Sequence, residues 1–388
     1  MFRAIRYEQR RLRSQWPDGQ VHRSRLSVLG QSMLVLAGAA GVVAMSSCGS
    51  ASVGGAAASA TAQSSGPVTI RLGYRPNLTD APDLIGVANG YFTRALGGNV
   101  TLKAQTFNAG PDEITAMFGG GLDLAFVGPS PAINGYVKSH GEAFRIIAGD
   151  VIGGAELVVS PAAGINTASD LRGKRIATPQ LGNTQDVALR VYLAAHGIHT
   201  SVQGGGDATI VNADNSTIVT LFQQRQIDAA WVPEPYASRI VDEAGGQVLL
   251  NEASLWPNGK FPTVELVAAT PFLHAHPDVV SQFLKGLLDV VQWMKANPDQ
   301  AKAAADSALL ALVSKPILHN TLNDSWSHLE FSVDPLASAY GTEAQHLVQA
   351  GFATSVDLHG IFDLRLLNKL LQKQGKPTVS DAGLGATS

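Results

Sequence analysis

The chain has 388 residues, of which 45% are hydrophobic and only 15% charged, enough apolar material for the cores of two ordinary domains. A formal net charge of −3 offers no basic field for a phosphate backbone, so nucleic-acid binding is not expected. The single cysteine, Cys48, excludes an internal disulfide framework, a Cys-rich zinc site and a Cys-ligated cluster.

Residues 1–25 carry seven Arg against Glu8 and Asp18, a balance of +5, and Leu26 to Met45 carries no charge at all. Ser46 and Ser47 then lead to Cys48. A basic start, an apolar run and small residues describe a secretory signal over 1–47. A cysteine directly after the small residues resembles a bacterial lipobox, which implies lipidation at Cys48 and an extracytoplasmic body anchored to the cell membrane. Residues 48–67 are Gly, Ala and Ser with almost no large apolar side chain, so burial cannot offset the entropy of ordering them, and they read as a flexible tether. Removing 1–47 takes +5 from −3 and leaves an acidic body of −8.

From Val68 onward short apolar runs alternate with amphipathic ones. Strands are expected at Val68 to Tyr74, Asn99 to Phe107, Leu122 to Val127 and Phe144 to Val151. Helices are expected at Asp83 to Thr93, Asp112 to Phe118 and Pro131 to Lys138. The pattern repeats with strands at Ala155 to Ser160, Asp207 to Ala213 and Ile227 to Val232, a turn leading into a strand over 171–178, and helices at Asp186 to His196, Ser216 to Gln224 and Pro235 to Ala244. One more strand, 264–269, precedes a helical tail. The fold class is α/β, with mostly parallel sheet and helices on its faces. Two stretches look alike: Ile114 to Phe118 followed by LDLAFV, and Ile218 to Phe222 followed by IDAAWV, each then entering a Pro-containing turn and a helix. They read either as convergence of helix–turn–strand units or as equivalent corners of two lobes facing one cleft.

Ligands of open α/β sheets bind beyond the carboxyl ends of the strands. Four corners there carry polar groups. The first holds Tyr74, Arg75 and Asn77; Arg75 or Tyr74 touches an anionic head group, or Arg75 is a solvated loop charge. The second is Gly128-Pro129-Ser130-Pro131, where Gly128 permits close backbone approach, Ser130 is the expected N-cap and Pro131 the first helical residue. That helix start either presents N–H groups to an anion or merely caps itself. The third is Gly182, Asn183, Thr184 and Gln185, again at a helix start. The fourth is Glu234-Pro235-Tyr236, in which Glu234 bonds the neighbouring helix start or meets a ligand ammonium. No nucleophile–base pair stands out, the ten His are scattered, the pairs His196/His199 and His274/His276 lack partnering acids at ligand spacing, and neither metal nor cofactor is expected.

The lipobox together with APDLIGVANGYF, DLAFVGPSPAINGYVK, ASDLRGKRIATPQLGNTQDVALRVYL and LFQQRQIDAAWVPEPYA resembles the nitrate/sulfonate/taurine family of ABC-importer substrate-binding proteins. The resemblance implies a type II periplasmic-binding-protein fold: lobe 1 from 68–153 plus 262–388, lobe 2 from 154–261, and two crossing strands near 153–160 and 262–269. It implies a monomeric receptor, not an enzyme, that delivers a small anionic solute to a permease and its ATPase. The family's cleft loops fall on Tyr74 to Asn77, Gly128 to Ser130, Gly182 to Gln185 and Glu234 to Tyr236. Enzymes of the same fold make the thiamine pyrimidine or act in menaquinone synthesis; the thiamine type needs a cysteine cluster that this chain lacks. A receptor for a membrane sensor is the other reading.

Overall fold

The computed structural model describes residues 67–386. The expected signal, the Cys48 lipidation site and the tether up to residue 66 lie outside the described residues. In chain order the body begins with β1 (Val68–Tyr74), α1 (Ala81–Ala88), α2 (Tyr91–Leu96), β2 (Val100–Thr106), α3 (Gly110–Phe118), β3 (Leu124–Val127), α4 (Pro129–Lys138) and β4 (Phe144–Gly153). It continues with β5 (Ala155–Val159), β6 (Arg175–Thr178), α5 (Thr184–Ala195), β7 (Thr209–Asn212), α6 (Asn215–Gln223), β8 (Ala229–Pro233), α7 (Tyr236–Ala244) and β9 (Gln247–Asn251). The remainder is β10 (Pro262–Ala269), α8 (Thr270–Ala275), α9 (Pro277–Ala296), α10 (Pro298–Val313), α11 (His319–Ser327), β11 (Leu329–Phe331), α12 (Tyr340–Gln349) and α13 (Arg365–Lys373).

The strands form two sheets, one per α/β lobe. The first has six strands in the order β11-β4-β10-β3-β1-β2, and the second five in the order β7-β6-β8-β5-β9. Both are mixed, which corrects the expectation of mostly parallel sheet. β1 pairs parallel with β2 and β3, and β6 with β7 and β8, as βα units require. β10, β4 and β11 run antiparallel to their neighbours in the first sheet, as does β5 to β8 and β9 in the second. The antiparallel strands are those next to the two passages between sheets, where the chain returns without a helical crossover.

Alternation along the strands of the second sheet feeds a core on each face. Leu157, Ile176 and Trp231 pack on one side, Val158, Ala177 and Val232 on the other. The first sheet is covered by α9, α10, α12 and α13, whose apolar residues join one large core. At its centre Phe92 stacks on Phe283 with ring centroids 4.2 Å apart, and Phe126 closes the cluster. The expected helix over Asp83 to Thr93 is two helices, broken at Asn89–Gly90. The sequence pattern gave no sign of β9 and β11, both short, and it did not divide the helical tail at α8, α10 and α11.

The chain passes between the sheets at Gly153–Gly154 and again before Pro262. The two passages touch: Gly153 N donates to Phe261 O and Thr263 Oγ1 donates to Gly153 O at 2.6 Å. Gly154 has φ +78, and a Cβ there would stand 2.2 Å from a Leu329 methyl, so this turn needs glycine on both counts.

Candidate functional site

A cavity of about 30 Å³ lies where the two lobes meet. Helix starts from both lobes line it. Ala109 and Gly110 open α3, Gly128 precedes α4, Asn183 to Gln185 open α5, and Asn215 opens α6. Each of these four helices follows a strand end. Their positive dipole ends converge on one small space, the arrangement that suits an anion. Asn77, Thr79, Asn108 and Thr263 add amide and hydroxyl groups. Arg75 is the one charged residue in the lining, and no carboxylate is part of it.

The second lobe offers the better donors. Asn183 caps α5 by accepting from Asp186 N at 2.9 Å, and its amide donates to Gln185 Oε1 at 2.9 Å. This spends the Asn183 side chain on the helix and leaves the backbone of Thr184 and Gln185 at the tip. Asp186 turns away, bonded to Arg190, Thr178 and Gly182 N. In the first lobe α4 starts at Pro129, with Gly128 in the cap position. This corrects the expected start: Pro129 is already set for the first helical turn, so Ser130 is a second-position residue and not the cap. Prolines 129 and 131 bring no N–H, so α4 contributes its dipole and few donors. The Ser130 hydroxyl is fully buried without a hydrogen-bond partner and is not part of the lining.

The lobes are in contact at this point. A Cβ on Gly128 would lie 2.3 Å from Thr184 Oγ1 and 3.3 Å from the Thr263 carbonyl. A side chain at Gly128 would therefore press on the facing lobe. Nearby, Gln180 Nε2 donates to Asp112 Oδ1 at 2.9 Å across the lobes, and the Phe352 ring sits over Gly182.

Arg75 does not stand ready for an anion, contrary to the simplest expectation. Its Nη1 donates to Glu113 Oε2 at 2.8 Å and to the Phe126 carbonyl, and its Nη2 lies 3.0 Å from Asp80 Oδ1. Burial works against its charge, but Asp80, Glu113 and Asp83 outweigh burial and raise its pKa. Burial pushes Glu113 up to about 8 and Asp80 up to about 6, against the pull of Arg75. Asp80 and Glu113 lie 5 and 38 residues from Arg75 along the chain, so local sequence gave no sign of this neutralisation.

Tyr74 and Tyr236 are buried in the cores of their lobes and are not part of the lining. Glu234 is also off the cavity. Its carboxylate accepts from Ser238 N, Ser238 Oγ, Ser325 Oγ and His328 Nδ1, all within 3.1 Å. The helix-bonding alternative describes it, and the ligand-ammonium alternative has no geometry here. Glu156, Glu234 and His328 bring ligand-type atoms within 4.8 Å of one another. Four donors already saturate Glu234, so the group is a hydrogen-bonded knot beside the Gly153–Gly154 passage.

Of the expected site residues, Arg75, Asn77, Gly128, Asn183, Thr184 and Gln185 line the cavity. Gly182 stands just outside it, beneath Phe352. The sequence reading missed Asn108 to Gly110 and Asn215. A signal was present: Asn108-Ala109 just after β2 and Asn212-Ala213 at the end of β7 each precede one of the two look-alike helices.

Comparisons with known proteins agree with this architecture. Residues 63–309 match the model of the NMT1-like family. A Brucella abortus (strain 2308) protein named as a binding protein is 27% identical over 250 residues, 60% of this chain and 74% of that one. A Bacillus subtilis (strain 168) protein named for binding aliphatic sulfonates is 25% identical over 308 residues, 78% of this chain and 88% of that one. The crystal structure of the periplasmic nitrate-binding protein NrtA from Synechocystis PCC 6803 superposes with a TM-score of 0.64 at 15% identity. That likeness, over 80% of this chain and 90% of the other, shows the fold. The chain has the periplasmic-binding-protein fold and belongs to the NMT1-like family.

Proposed function

We propose that this protein is an extracytoplasmic receptor that captures a compact oxyanion between its lobes and delivers it to an ABC permease and its ATPase. One observation carries the reading: four helix N-termini, two from each lobe, meet at a cavity lined by amides, hydroxyls and no carboxylate. The relatives named for sulfonate and nitrate binding point the same way. The volume favours a small head group. About 30 Å³ holds two or three water-sized bodies, since roughly 10–15 Å³ of such volume accommodates one. Nitrate, bicarbonate or the head of an alkanesulfonate suits the space better than taurine, whose ammonium would find no carboxylate in the lining. Boundaries of 68–153 plus 262–388 and 154–261 serve as the two jaws, with Gly153–Gly154 as one of the passages that flex.

A thermal-shift panel tests the capture step. Nitrate, bicarbonate, methanesulfonate and taurine are compared with ammonium and choline at equal ionic strength. A binder at one hundred times its Kd stabilises the folded state by about 2.7 kcal/mol. The reading expects at least one oxyanion to raise the melting temperature and neither cation to do so; a panel in which no anion acts contradicts it. The same proposal holds the body to the membrane by a lipid on Cys48. Cys48→Ala is expected to move the protein from the membrane fraction to the soluble one, and unchanged fractionation would contradict the anchor.

A further inference from the structure

Behind the cavity the first lobe buries five carboxyl groups around one cation. Asp80, Asp83, Glu113 and Glu265 have no exposed surface, and Asp150 is 1% exposed. They come from five places in the fold: the turn before α1, α1 itself, α3, β4 and β10. Arg75 is the cation, and its hydrogen bonds and ion pairs go to Asp80 and Glu113. Neither carboxyl oxygen of Asp83, and neither of Asp150, has a hydrogen-bond partner among the described residues. An ionised carboxylate without water, partner or counter-charge is among the costliest groups a fold can hold. One guanidinium can neutralise one such charge, and here it already faces two.

We infer that Asp83 and Asp150 are carboxylic acids in the folded protein at neutral pH, forming a proton-binding site built into the wall behind the cleft. Their surroundings support this from every side. Burial raises Asp83 well above the ordinary carboxyl range, and Asp150, Asp80 and Glu113 push it further against the pull of Arg75. Burial likewise raises Asp150, with Asp80 and Glu265 adding to it and Arg75 opposing. Tyr74 faces Asp83 and Asp80, and its own pKa is raised by burial and by those two acids. Beyond Glu265 stand Tyr340 and Glu343 of α12, neither of which brings a positive charge.

The sign of the pH effect follows from linkage. A carboxyl titrates near pH ~4 in the unfolded chain and much higher when folded, so between those values the folded state holds the extra proton. Stability therefore falls as pH rises, by up to about tenfold in the folded-to-unfolded ratio per pH unit for each proton held. Where the anion reading of the cleft also holds, an anion beside Arg75 disfavours the ionised forms of Asp80 and Glu113, so anion and proton strengthen each other's binding. The proton site itself needs no ligand.

Infrared spectroscopy of the ligand-free full chain tests it. At about pH 7.5 the wild type should show a carboxylic-acid C=O band, and Asp83→Asn and Asp150→Asn should each remove part of it. The melting temperature should fall from about pH 6 to about pH 9, with a shallower slope in either variant, because an amide imitates the neutral acid. Absence of the band in the wild type overturns the inference, as does a band unchanged by both substitutions. Stoichiometric binding of calcium or sodium that abolishes the band overturns it too, by making the site a cation site. If one variant fails to fold, the other decides; if both fail, Asp83→Ser and Asp150→Ser are read for the same loss of band, because Glu113, pushed up to about 8, adds to the wild-type band on its own. A positive infrared result with no anion binding would separate this site from the proposed receptor function.

Discussion

Gly128 shows how one missing methyl group permits two lobes to touch. Its Cα faces Thr184 Oγ1 so closely that a Cβ would stand at 2.3 Å, with the Thr263 carbonyl behind it at 3.3 Å. The hydroxyl can rotate away from an added methyl, but two γ-methyls would meet backbone as well. Its backbone angles, φ −82 and ψ 164, are ordinary for any residue, so a side chain there is opposed by the partner lobe and not by strain. Gly128→Val is therefore expected to weaken oxyanion binding at least tenfold while leaving the fold intact. Titration calorimetry and thermal melting of the same sample check this; unchanged affinity, or a collapse of the melting transition, would remove Gly128 from the closing contact. Arg75 teaches the opposite lesson. A cation in a binding loop invites assignment to an anionic ligand, yet its guanidinium is bound to Asp80, Glu113 and the Phe126 carbonyl. It lines the cavity with its charge already balanced by the two carboxyl groups.

At the scale of elements, the interiors of strands and helices were legible and their ends were not. VTIRLGY, LAFV and the run before Gly153 are apolar, β-branched and bounded by turn residues, and each is a strand. The expected helix starts lie one or two residues late for α3, α4, α5 and α6. In α3 and α4 a proline already occupies the first turn, and in α5 Asn183 is the residue that caps. In α3 and α6 the early residues Gly110 and Asn215 line the cavity, so a small error in helix boundary hid part of the site. β9 and β11 lie at sheet edges and depend on pairing with β5 and β4, a long-range contact that local pattern does not encode. The sheets' mixed direction was hidden for the same reason: β10 lies between β3 and β4 only because the chain comes back from the second lobe.

The whole molecule combines two lobes that present the same chemistry to one space. Each contributes two helix N-termini, and the look-alike helices α3 and α6 occupy corresponding corners. Contacts from α11 and its neighbours to the second lobe hold the arrangement together away from the cleft. Thr321 Oγ1 donates to Asp242 Oδ2, Lys315 Nζ to Glu243 Oε2, and Ser325 Oγ to Glu234 Oε2. Among the described residues no helix is long and apolar enough to cross a membrane. Under the proposed capture by converging helix tips Thr184 is decisive, since it starts α5 and meets the other lobe at Gly128. Isothermal titration of nitrate, bicarbonate and methanesulfonate into the wild type and Thr184→Leu addresses this directly. One-to-one binding of at least one oxyanion by the wild type, weakened at least tenfold by the leucine with the melting transition retained, is the predicted result. Equal affinity in both proteins, or no binding to the wild type, would contradict the account.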